Sequence, residues 1–160
     1  MKKNSLSIVL EIYDDINELP DQIEKLMLEA QKARELAYAP YSRFKVGAAV
    51  LLANERIVLG NNQENAAYPS GLCAERVAVF AAGANYPETE IKAIAITARA
   101  GDRILTEPIA PCGSCRQAMA EYEHKQHSPI EVFFMGEDGP VYRLKSVADL
   151  LPLGFSSKYL

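Results

Sequence analysis

Apolar positions change period several times along the chain. From Asp21 onward, Ile23, Leu26, Met27, Ala30, Ala33 and Ala37 recur at helical spacing, while Glu24, Lys25, Lys32, Arg34 and Glu35 fall mostly off that stripe. This predicts an amphipathic helix. Pro20 suits its first turn, where a missing N–H costs nothing, and Pro40 ends it. Phe44 to Leu52, with Val46, Val50 and Leu51, reads as a strand; Asn54-Glu55 turns the chain and Arg56 to Leu59 returns it as a hairpin. Residues 61–71 are polar and turn-rich, hence a loop. A second helix is expected from about Leu72 to Ala82, ended by Gly83, Asn85 and Pro87. A strand at Ile91–Thr97, a loop at 99–111 and a third helix from about Cys112 to His124 follow. Strands at Ile130–Met135 and Val141–Leu144 and a helical turn near Ala148–Leu151 complete the pattern. Residues 1–19 hold an apolar stretch (Leu6, Ile8, Val9, Leu10) and then an acidic loop, a pattern that fits strand or helix. Strands alternating with helices imply crossovers over a largely buried sheet, and the hairpin makes that sheet mixed. The expected fold is α/β, a three-layer α/β/α sandwich.

Composition narrows the possibilities. At 160 residues and 49% hydrophobic content, the chain has the size and core material of one domain. No apolar run approaches the roughly 18 residues of a membrane span. Acidic residues at Glu11, Asp14 and Asp15 closely follow Lys2 and Lys3, so neither a secretory signal nor a membrane partner is expected. Seventeen basic against 21 acidic residues give a net charge of −4, and the basic residues are scattered. That argues against a nucleic-acid partner, which needs clustered cations. A small polar ligand is compatible.

The three cysteines cannot all pair within one chain, and a disulfide scaffold would want more of them in a shorter chain. Instead, all three fall at predicted helix starts. Cys73 opens the second helix; Cys112 and Cys115 open the third, three residues apart and so on one face. Unpaired N–H groups and the positive dipole end favour thiolates there. Three sulfurs leave a tetrahedral Zn²⁺ one position for water or substrate, the arrangement of a catalytic zinc. His124 would sit roughly 13 Å beyond Cys115 at 1.5 Å per residue, so it does not complete the set. Glu75, two residues after Cys73, supplies a carboxylate beside the metal. On an ideal helix, residues two apart diverge by about 200°, so periodicity alone does not aim Cys73 and Glu75 into one pocket. Cys-Ala-Glu followed by Pro-Cys-Gly-Ser-Cys is nonetheless the compound pattern of zinc deaminases.

With these residues in view, the sequence resembles the cytidine deaminase family, in its small three-cysteine branch. The resemblance spans about residues 22–157. It rests on PYSRFKVGAA at 40–49, NNQENAAYPSGLCAER at 61–76, PCGSCRQ at 111–117 and LLPLGF at 150–155, in family order. It implies zinc, one per chain, on Cys73, Cys112 and Cys115, with Glu75 as proton shuttle. Phe44 matches the aromatic packing on the pyrimidine or its surroundings. Asn62 and Glu64 match residues that hydrogen-bond ribose hydroxyls, and the Ala74 backbone matches a group reading the base edge. Tyr68 and Phe155 match aromatics near a site built from more than one subunit. Arg76 matches a basic residue tempering the thiolate charge; Arg116, directly after Cys115, can do the same. The resemblance further implies a five-stranded mixed sheet and a homotetramer. The expected activity is hydrolysis of cytidine and 2′-deoxycytidine to uridine and 2′-deoxyuridine with release of ammonia, in the cytoplasm, in pyrimidine salvage. Residues 1–20 are then an N-terminal extension and 21–160 the zinc domain.

Two other readings carry distinct expectations. A deaminase for a modified cytosine or a nucleoside antibiotic would separate on a substrate panel. A closed structural zinc module would need a fourth protein ligand and no open coordination position.

Overall fold

The structure, a computed structural model, describes all residues from Met1 to Leu160. The elements follow in the order β1 (Glu11–Tyr13), α1 (Asp21–Glu35), β2 (Lys45–Leu52), β3 (Ile57–Asn61), α2 (Ala74–Asn85), β4 (Ile91–Arg99), α3 (Gly113–Gln126), β5 (Glu131–Met135) and β6 (Val141–Leu144). Short 3-10 turns lie at Ile16–Glu18, Tyr68–Ser70, Val147–Leu150 and Ser157–Tyr159. The strands form one sheet in the order β1-β6-β5-β4-β2-β3. Only the β4–β5 pair is parallel. The layers are those expected. Ile23, Leu26, Met27 and Ala30 of α1 pack on one sheet face with Ala49, Leu51, Ala95 and Phe133. Ala78, Val79 and Ala82 of α2 and Met119 and Ala120 of α3 pack on the other with Val50, Ile94 and Val132.

The sheet has six strands, and this corrects the expectation of five. The sixth is β1, laid antiparallel on β6 with Glu11 opposite Arg143 and Tyr13 opposite Val141. Its inward positions are Glu11 and Tyr13, and Ile12 points out at 56% exposure. An apolar residue thus faces water and a charged one faces inward, so no alternation announces the strand. Ion pairs satisfy Glu11 instead: its carboxylate meets Arg143 at 2.6 Å and Lys145 at 3.0 Å. Arg143 also reaches Glu131 on β5 at 2.8 Å. The apolar residues Leu6, Ile8, Val9 and Leu10 precede the strand and are exposed.

Connectivity places the site. β3 and β4 both run antiparallel to β2 between them, so they point the same way. α2 follows β3 and α3 follows β4, on the same sheet face. Both helices therefore begin beyond the same edge of the sheet, with their N-termini side by side. Binding sites of α/β sheets favour such positions outside the carboxyl ends of strands. Close packing fixes the first turn of α2. A Cβ built on Gly60 of β3 would lie 2.4 Å from the Ala74 carbonyl oxygen and 2.5 Å from the Ala78 nitrogen. Only a residue without a side chain lets β3 and α2 approach so closely.

Candidate active site

Cys73 and Cys112 are the N-cap residues of α2 and α3, each in extended conformation. Cys115 lies in the first turn of α3 and is buried. The three Sγ atoms lie within 4.8 Å of one another, and Cys112 and Cys115 are 3.5 Å apart. All three are free thiols. A tetrahedral zinc at about 2.3 Å from each sulfur needs sulfurs roughly 3.8 Å apart, so small side-chain adjustments bring this set onto one ion. The donor set fits Zn²⁺. His124 sits in the last turn of α3 and His127 caps its end.

Cap geometry also resolves the aim of Cys73 and Glu75. Cys73 lies outside the helix, with φ −73° and ψ 153°, so the rotation between helical residues two apart does not apply to it. Glu75 is already on the helix, on the stripe with Ala78, Val79 and Ala82 that faces the core. It is 4% exposed. Burial pushes its carboxyl above the ordinary range, and the Cys73 thiolate beside it adds to the rise. Such a group holds a proton that an exposed carboxylate would release, the property required of a proton shuttle.

Among the three sulfurs, a hydrogen bond from the Cys115 thiol is the chief reason that Cys73 is lowered to about 5. Cys115, as the donor, is pushed up. Arg76 supports the same ionisation, its Nη2 lying 3.8 Å from Cys73 Sγ. Its buried Nε has no hydrogen-bond partner. Arg116 is engaged elsewhere. Its Nε donates to the Pro111 carbonyl at 2.7 Å and its Nη1 to that of Leu150 at 3.0 Å. It ties the loop before α3 to the C-terminal segment.

A cleft of about 400 Å³ opens beside Cys73 and Arg76. Its lining includes Tyr41, Ser42, Asn62, Glu64 and Tyr68. Asn62 and Glu64 follow directly on β3, so the strand that seats α2 also presents them. The Glu64 carboxylate accepts from the backbone N–H groups of Tyr41 at 2.9 Å and Ser42 at 3.3 Å, and from the Ser42 hydroxyl. These bonds, the hydroxyl first, hold its pKa below the ordinary carboxylate value. The Asn62 amide spans the start of β2: Oδ1 accepts from Val46 N–H at 2.8 Å and Nδ2 donates to the Phe44 carbonyl at 2.9 Å. Phe44 is half-buried and packs against Ala98, Ala100 and Leu105. Tyr68 is exposed, its ring centroid 6.2 Å from that of Tyr41. Phe155 is exposed and stacks on Tyr159, while its carbonyl accepts from Gln117 of α3. Ala74 is fully buried under Gly60. Sequence reasoning passed over Tyr41 and Ser42. The signal was their place in the same PYSRF segment as Phe44.

The model of the cytidine and deoxycytidylate deaminase zinc-binding region matches residues 20–128. The chain belongs to this family. A cytidine deaminase of Sporosarcina psychrophila is 42% identical over 139 residues, covering 86% of this chain and 94% of the relative. One from Halalkalibacterium halodurans is 39% identical, covering 84% and 95% respectively. The crystal structure of a cytidine deaminase from Burkholderia pseudomallei superposes with a TM-score of 0.71 at 42% identity, over 82% of this chain and 97% of that one. That from Mycobacterium tuberculosis gives 0.64 at 30%, over 84% and 97%. The deaminase core thus accounts for nearly the whole length of these relatives.

Proposed function

We infer that this chain is a cytidine deaminase. It hydrolyses cytidine and 2′-deoxycytidine to uridine and 2′-deoxyuridine, releases ammonia, and serves pyrimidine salvage. One observation carries the reading: in a member of this family, three free thiols converge at two helix N-termini beside the buried carboxyl of Glu75. Cys73, Cys112 and Cys115 would hold the zinc, which would supply the Lewis acidity that activates the reacting water.

The chain's own groups do the rest. Glu75 takes the proton of the water that adds to C4 of the base and delivers it to N3; it then takes the proton of the new C4 hydroxyl and passes it to the amine, so that ammonia leaves as the C4 carbonyl forms. Its buried position keeps this proton out of exchange with bulk solvent while the amine leaves. Arg76 offsets the charge of three thiolates from beside Cys73. We assign Asn62 and Glu64 to the sugar hydroxyls, the Ala74 backbone to the base edge, and Phe44 to the wall behind the base. Arg116 acts by holding the Pro111 segment from which Cys112 starts α3. The proposed domain limits are 21–160 for the zinc domain and 1–20 for an extension to it.

We also propose a homotetramer, with each cleft completed by a neighbouring copy and one zinc per chain. The exposure of Phe155 (57%) and Tyr68 (75%) supports this reading, since both are aromatics that a single copy leaves in water. A cytoplasmic location suits three free thiols, which a reducing compartment preserves. No helix is long and apolar enough to cross a membrane. The test is direct. Purified zinc-loaded protein is mixed with cytidine, and the ultraviolet change to uridine and the ammonia released are followed together. An unchanged spectrum overturns the reading.

A further inference from the structure

Glu64 lines the cleft beside Cys73. Here three of its acceptor positions are already occupied by the loop opposite. Tyr41 N–H and Ser42 N–H donate to Oε2, and the Ser42 hydroxyl donates to Oε1. A carboxylate offers about four lone-pair sites, so roughly one remains for a ligand. The Ser42 oxygen is itself fixed, because it accepts from the Phe44 N–H at 2.9 Å. The Phe44 carbonyl in turn accepts from Asn62. Backbone bonds lace the same two segments together: Tyr38 N–H donates to Asn62 O at 3.0 Å and Glu64 N–H to Tyr38 O at 2.9 Å. A closed path therefore runs Glu64–Ser42–Phe44–Asn62–Tyr38 and back to Glu64. Within it, Ser42 is the only side chain that touches Glu64.

We propose that Ser42 is a positioning residue for sugar recognition: its hydroxyl locks the rotamer of Glu64 so that the one remaining acceptor direction meets a secondary hydroxyl of the nucleoside. The proposal rests on the cytidine deaminase reading and deepens it. Backbone donors alone hold Oε2 but leave the carboxylate plane free to turn about that anchor. The hydroxyl, bound to the other oxygen and held by Phe44, removes this freedom. Carboxylate placement is thereby coupled to the residue assigned to the wall behind the base, so sugar and base are read in one register. The bond is charge-assisted, because the same contacts keep Glu64 ionised.

The test compares the wild type, Ser42→Ala and Ser42→Thr on cytidine and on 2′,3′-dideoxycytidine, which lacks both secondary hydroxyls. For Ser42→Ala, kcat/KM on cytidine falls roughly tenfold, carried mainly by KM, as for loss of one hydrogen bond to a charged group. On the dideoxy analogue, Ser42→Ala and wild type differ by less than about twofold, since neither secondary hydroxyl remains to be read. Ser42→Thr restores most of the cytidine activity. In a Glu64→Gln background, adding Ser42→Ala has little further effect, because the two residues act as one unit. Equal losses on both substrates overturn the proposal and mark Ser42 as merely structural. Wild-type kinetics in Ser42→Ala overturn it as well. A wild-type enzyme inactive on cytidine would instead fail the underlying reading, a separate outcome visible before any variant is made.

Discussion

Replacing Gly60 with alanine tests whether one backbone contact sets the geometry of the metal centre. The new Cβ would lie 2.4 Å from the Ala74 carbonyl oxygen, 2.5 Å from the Ala78 nitrogen and 2.9 Å from the Ala78 Cβ. Two of these three atoms are helix backbone and cannot rotate aside. Reaching ordinary contact requires the first turn of α2 to retreat by about 1 Å. Ala74 lies between Cys73 and Glu75, so both move with it. Cys112 and Cys115, on α3, stay behind. A misplacement near 1 Å can cost about 100-fold in rate, and overpacking of this kind costs about 1–3 kcal/mol in stability. Gly60→Ala is therefore expected to lose about 100-fold in kcat, to hold zinc more weakly against a competing chelator, and to melt several degrees lower. Gly113 is the matched control. It lies between Cys112 and Cys115, yet a Cβ there meets nothing within 4 Å. Gly113→Ala should keep zinc and turnover and gain up to about 1 kcal/mol, since glycine is a poor helix residue. The assays are cytidine turnover, zinc per chain after dialysis against chelator, and thermal unfolding. Normal activity and zinc retention in Gly60→Ala would refute the claim that this contact holds the site.

The remaining predictions address the chemistry and the sheet edge. Glu75→Gln should retain one zinc per chain and lose at least about 100-fold in kcat, checked by metal analysis beside turnover; full activity would remove the proton shuttle from Glu75. Chelation should abolish activity and raise the count of thiols reactive toward a disulfide reagent from near none to three per chain, with readdition of Zn²⁺ reversing both. Glu11 is held below its ordinary value of 4.5, foremost by its hydrogen bond to Lys145 and then by the charge of Arg143. Its folded-state pKa is depressed, so its contribution is complete above about 4.5 and is lost as pH falls through the lower folded value. Amide exchange at Glu11–Tyr13 should accelerate over that acid range before the core strands respond; protection persisting below it would refute the pairing.

What could be read in advance followed from periodicity and composition. The α1 stripe from Ile23 to Ala33 is visible because its burial repeats with the helix. The cysteines were legible as a metal set because Cys-Ala-Glu and Pro-Cys-Gly-Ser-Cys together form one compound pattern, as a lone Cys-x-x-Cys does not. Three features escaped, each for a physical reason. β1 is three residues long, and ion pairs rather than apolar side chains fill its inward charged position, so there was no alternation to find. The convergence of Cys73 and Glu75 depends on an extended cap residue, which helical geometry does not describe. Ser42 and Glu64 are 22 residues apart and meet only because β2 and β3 fold the two loops together. Pairings of polar groups across a fold leave no local periodicity.

The position of β1 also decides how this protein can be handled. β1 and β3 occupy opposite edges of the sheet, five strand spacings apart, or about 24 Å at 4.8 Å each. The cleft lies at the β3 side. A tether, affinity tag or fused partner placed ahead of Glu11 would therefore lead into the edge strand remote from its own chain's cleft. The other terminus offers no such freedom, because Gln117 of α3 binds the Phe155 carbonyl two residues beyond Cys115 in its own helix. Immobilisation through a point just ahead of β1 should leave the pocket accessible, whereas a pull on the last residues is transmitted to the helix that carries two of the three sulfurs.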